Sequence, residues 1–131
     1  MTALLTASCA TNAGDRSADD RAAELAFLNR EPLHSCGEVT LEQDDLQIPE
    51  DAVACMDATL GSGAELKVTM PTTEGDPIVP YYRVGPGVDG LEIYSDNRAD
   101  AFRGTDWDLQ RCPGTTTIAE PQACVSVVWG Q

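Results

Sequence analysis

The sequence predicts an α+β domain: an antiparallel β-meander of about four to five strands, one main helix packed on one face, and disulfide staples. Three observations predict it. Residues 49–60 place apolar side chains at helical spacing between a proline and a glycine. From Glu65 onward the helical period gives way to strict alternation. The alternating segments are short and joined by brief Gly- and Pro-containing connections, which favour antiparallel neighbours over crossovers.

The chain of 131 residues and 14.0 kDa suits one domain, assigned to residues 22–131. Its first element is a short helix over 22–28, with Leu25 and Leu28 on one face and Pro32 ending it. The main helix follows at 49–60. Pro49 suits a helix start, Glu50 and Asp51 complement its dipole, and Gly61 is placed to supply a left-handed C-terminal residue. Ala52, Cys55, Met56, Thr59 and Leu60 share a face, so Cys55 points toward the core.

Strands are expected at 65–70, 78–84 and 91–95, then at 107–112 and 124–129. Pro80 cannot donate to a ladder and marks an edge or a bulge in the second of them. Residues 10–21 are small, polar and charged without apolar period, and read as a flexible tether.

Composition excludes several classes of function. Acidic residues number 22 against 8 basic ones, a formal charge of −14. Phosphate binding needs clustered Lys and Arg, so nucleic acid is not an expected partner, and a polybasic membrane contact is equally disfavoured. No stretch approaches the roughly 18 apolar residues of a spanning helix.

The five cysteines are Cys9, Cys36, Cys55, Cys112 and Cys124. None forms a C-x-x-C pair and His34 is the sole histidine, which argues against a zinc site and for a disulfide framework in a secreted domain. Four cysteines allow three connectivities, and spacing does not choose among them.

Cys9 stands apart. Residues 3–9, Ala-Leu-Leu-Thr-Ala-Ser-Cys, resemble a bacterial lipobox, in which small residues precede a cysteine that receives lipid. Residues 1–9 then read as a signal remnant, and lipidation of Cys9 leaves an even number of thiols for bridges. Only eight residues precede Cys9 and none is basic, whereas a full leader has a positive region and an apolar run. The written start is therefore expected to lie inside a longer leader.

The meander implies one spatial convergence. If 65–70 runs up the sheet, the 71–77 turn and the exit of 91–95 share the upper end. Glu74, Asp76, Asp96 and Asp100 then meet there, with Arg98 and Arg103 nearby. Three roles are open to them: turn capping and pairing with arginine, a binding surface for a cationic or polar partner, or calcium ligation. The spacing from Asp96 does not fit an EF-hand loop, because Arg98 falls where an oxygen ligand is required.

These same segments carry a family resemblance. Thr72-Thr73-Glu74-Gly75-Asp76-Pro77-Ile78, then Tyr94-Ser95-Asp96-Asn97-Arg98-Ala99-Asp100-Ala101-Phe102, then Cys112, resemble small secreted bacterial lipoproteins grouped as a domain of unknown function with a T-x-E-G-D-P-I turn. The acidic, Arg-over-Lys composition resembles actinobacterial members. The resemblance covers roughly residues 33–124 and implies export and anchoring. It also implies a late bridge, Cys112–Cys124, which leaves Cys36 to pair with Cys55. Each bridge would stabilise by about 3 kcal/mol on the loop-entropy model.

The family brings no activity with it. Nucleophilic catalysis normally needs a base, and His34 reads as a surface or packing histidine without a nucleophile elbow near it. Gly61-Ser62-Gly63 lacks the lysine of a phosphate loop. No cofactor and no metal is expected. The function expected is a monomeric, extracytoplasmic lipoprotein, held to the membrane only through Cys9, that binds an envelope protein or small ligand through its acidic turn end. The alternative is a hydrolase using two of those carboxylates on an envelope glycan.

Overall fold

A computed structural model describes residues 11–100 and 104–129. These residues form helices α1 (Thr11–Leu28) and α2 (Glu50–Ala58), with strands β1 (His34–Thr40), β2 (Ala64–Thr69), β3 (Val79–Val84), β4 (Leu91–Asp96), β5 (Trp107–Cys112) and β6 (Val125–Ser126). The strands make one six-stranded sheet in chain order, antiparallel except that β1 and β2 run parallel. The domain is α+β, but the sheet is mixed rather than a pure meander. Its opening β1–α2–β2 unit is a helical crossover, which parallel neighbours require.

Alternation along the strands sorts side chains onto two faces. Leu66, Val68, Tyr82, Val84, Leu91 and Ile93 pack with Ala52 and Met56 of α2. Tyr94, Trp107 and Leu109 point the other way and pack with Ala23 and Phe27 of α1. Each helix therefore closes one face, where the sequence predicts a single covered face.

α1 differs most from expectation. Residues 11–21, read as part of a tether, belong to a continuous helix from Thr11, which contains the short helix expected at 22–28. Once Ala23 and Phe27 dock, the helix is already nucleated, and each further residue adds a backbone bond without a second nucleation cost. An outward helical face needs no apolar residues, so polar composition did not exclude it. Asn29 and Arg30 close the helix by bonding back to the carbonyls of Leu25 and Phe27.

α2 begins at Glu50 after Pro49, as expected. Its exit uses a different glycine: Gly63, not Gly61, has a left-handed φ of +103°, and its N–H bonds the Thr59 carbonyl at 2.7 Å. Gly85 must in turn be small, because a Cβ on it would come within 2.8 Å of the Gly63 Cα. That contact brings the start of β2 against the end of β3.

The bridges are Cys36–Cys55 and Cys112–Cys124. The first staples edge strand β1 to α2. The second holds the short strand β6 beside β5, whose pairing stops at Ser126 rather than running to 129. Cys9 and Arg103 lie outside the described residues.

Candidate functional site

The strand register brings the expected loops to one end. Val79 pairs with Asp96, Asp96 with Trp107, and Met70 with Ile78, so the 71–77 turn and the exit of β4 are neighbours. The turn is held internally. The Gly75 N–H donates to the Thr72 carbonyl, and the Thr72 hydroxyl donates to the Asp76 carbonyl at 2.7 Å. Glu74 and Asp76 are both exposed, and Glu74 accepts a hydrogen bond from the Thr73 hydroxyl.

The other two carboxylates are differently placed. Asp96 accepts from Arg98 Nε at 2.9 Å and Nη2 at 2.8 Å, and from the Arg98 backbone N–H at 3.1 Å. The Arg98 hydrogen bonds hold its carboxyl below the usual range, against a smaller opposing push from burial. Asp100 is buried inside the loop, and its N–H donates to the Asn97 carbonyl. Arg98 therefore neutralises Asp96 in its own turn instead of pairing with Glu74 or Asp76, and its guanidinium lies 5.2 Å from the Trp107 ring centroid.

The four residues share an end of the sheet without forming one cluster. The hollow beside them is lined by Pro77, Val79, Asp96, Arg98 and Ala99, and so contains one of the four carboxylates. A glycan hydrolase needs two, one of them with a raised pKa as the acid. Asp96 shifts the opposite way. Among the described residues, the group close enough to share a metal is His34, Cys36 and Cys55, and its two sulfurs are spent on the disulfide. The carboxylates of the sheet end make no such group among the described residues. His34 itself is exposed.

Two features were not expected from the sequence. On the α1 face, Glu65 accepts from Arg30 Nε at 2.6 Å and Nη2 at 3.0 Å, and from Arg83 Nη1 at 2.5 Å. Arg83 Nη2 also donates to the Glu31 carbonyl at 2.9 Å. Burial pushes the Glu65 carboxyl up, but the hydrogen bonds and charges of the two arginines together draw it below its ordinary value. The Arg30 guanidinium caps the Phe27 ring at 3.7 Å, so one half-buried network locks the end of α1 to β2 and β3.

On the α2 face, a groove of about 610 Å³ opens between α2, the 46–48 loop and the 118–121 loop. Ile48, Val53, Met70, Tyr82 and Ile118 supply apolar lining, and Glu50 and Asp57 are its charged groups. Asp57 accepts from the Thr117 hydroxyl at 2.6 Å and the Ile118 N–H at 3.0 Å, which pins the far wall. Burial pushes the Tyr82 hydroxyl pKa up. A signal for this side was present in the sequence, since residues 41–60 hold six acidic residues and no Lys or Arg. It was masked because the 115–121 loop that completes the groove has no strand or helix period.

Comparison with protein-family models, curated proteins and solved structures finds no match. No helix among the described residues is long and apolar enough to cross a membrane.

Proposed function

We propose that the protein is an extracytoplasmic binding module of the lipoprotein kind, anchored through lipid on Cys9, that engages an envelope protein or small ligand through the acidic end of its sheet. The observation that carries this reading is the state of the turn carboxylates. Glu74 and Asp76 stand exposed at the tip, beside an Asp96 already neutralised by Arg98. Solvated carboxylates at a turn tip are suited to polar or cationic groups. Two disulfides support an oxidising compartment, and the likeness to secreted bacterial lipoproteins supports anchoring.

Glu74→Ala with Asp76→Ala is expected to lose partners captured by the wild type from envelope extracts; an unchanged capture profile would remove the acidic end as the contact. Intact mass of protein purified from membranes is expected to carry acyl chains and two bridges. An unmodified mass would remove the anchor.

A further inference from the structure

We infer that the groove between α2 and the 118–121 loop binds an organic cation with an apolar body, a protonated amine carried on an aliphatic or aromatic group. This site is separate from the acidic turn and does not depend on the anchor. Its volume of about 610 Å³ falls in the range of small-molecule pockets, and its lining is mostly apolar with few polar groups, as such pockets require. Leu46, which also lines it, is 56% exposed, an apolar side chain left in water at the lip.

Charge selects the ligand class. Residues 41–60 and 113–129 carry Glu42, Asp44, Asp45, Glu50, Asp51, Asp57 and Glu120 and contain no Lys or Arg. The basic side chains Arg30, Lys67, Arg83, Arg98 and Arg111 engage aromatic rings or acids belonging to the opposite side of the sheet. The groove therefore presents an apolar wall under a negative field, with no Lys or Arg among the described residues that line it, and low-dielectric walls concentrate such a field. An anion entering here meets repulsion. A neutral hydrocarbon gains burial but leaves the charge unused.

The two lining carboxylates have different duties. Asp57 is committed to the Thr117–Ile118 turn and keeps the wall in place. Glu50, exposed at the first turn of α2, makes no side-chain bond among the described residues and is the group left to meet an ammonium. The N-terminus of α2 contributes about half a positive charge, which the carboxylates of Glu50 and Asp51 exceed. Tyr82 adds an aromatic ring to the lining, a surface that suits a cation.

The test uses the full, disulfide-bonded chain and three probes with one tail: n-octylammonium, n-octanol and octanoate, titrated by calorimetry. Octylammonium is expected to bind at least about tenfold more tightly than octanol, with octanoate weakest and the difference shrinking as salt is added. Glu50→Gln is expected to reduce the advantage of octylammonium over octanol to about threefold or less while leaving octanol unchanged. Ala54→Trp, at an exposed position lining the groove, is expected to abolish binding of both without altering the unfolding curve. Glu74→Ala with Asp76→Ala is expected to leave all three unchanged, so this inference and the role of the acidic end fail separately. Octanoate binding as tightly as octylammonium overturns the inference. So does full binding by Ala54→Trp, or capture of a Lys-rich peptide by a chain that ignores octylammonium.

Discussion

The two faces of the sheet are built on different physics. The α2 face is aliphatic, stapled by a bridge, and acidic at its rim. The α1 face is aromatic and holds the described ion pairs of Arg30, Arg83, Arg98 and Arg111 with Glu65, Asp96 and Glu92. Volume organises the first face, so its stability should depend on packing and little on pH. Charge and stacking organise the second, so it should respond to both. The difference teaches how a chain of net charge −14 tolerates its own repulsion. Arg30, Arg83, Arg98 and Arg111 pair with half-buried acids on one face, and the opposite rim is left without a described cation. A bare rim is also what can attract a cationic ligand.

The comparison can be broken first at Met56, fully buried in the α2 face. Met56→Ala is expected to cost about 4 kcal/mol in urea unfolding, by the same amount at neutral and mildly acid pH. A pH-dependent loss would show that charge also organises this face. Next is the bridge, where Cys36→Ser with Cys55→Ser should cost about 3 kcal/mol and free β1 first, seen as faster amide exchange over 34–40. Loss spread evenly over the sheet would mean that the edge has no independent weakness.

The third test falls on the α1 face. Glu65→Gln leaves the buried Arg83 without its charged partner and should cost about 2 kcal/mol at neutral pH, less than a fully buried pair because Glu65 is partly solvated. The folded pKa of Glu65 lies below its unfolded value of 4.5. Its stabilisation is therefore complete above that value and disappears as pH falls through the folded pKa. The mutational cost should shrink over the same interval, and a cost constant with pH would refute the charge-based account. The smallest effect is expected from Asp96→Asn. Arg98 is exposed, so the loss should be about 0.5 kcal/mol and be screened by salt.

Some of this was legible in the sequence and some was not, for identifiable reasons. β2 to β5 were readable because alternation repeats over whole strands, and α2 because Pro49 and its apolar stripe mark it. β1 was missed. His34-Ser35-Cys36-Gly37-Glu38-Val39-Thr40 lies at the edge with a register shift between Ser35 and Glu38, and Gly37 sits at a φ of +107°. The strand's inward residues, Cys36 and Val39, fall three apart across the bulge, so the period of two is broken. The upper end of the sheet was readable from topology alone, since consecutive hairpins alternate ends. The fate of each carboxylate there was not, because the bidentate grip of Arg98 on Asp96 depends on one turn's backbone angles.

Local periodicity, glycine and proline positions, and the spread of thiols determined the class of fold, the order of most strands and the end where the acidic turns meet. These are short-range properties, written in residues that are neighbours along the chain. Tertiary structure decided that β1 runs parallel to β2, that α1 extends over a polar segment, and that a groove opens between α2 and a loop some sixty residues away, as the contact of Asp57 with Thr117 and Ile118 records. Each of those depends on surfaces brought together from distant parts of the chain, and the free energy of burying them belongs to no single segment.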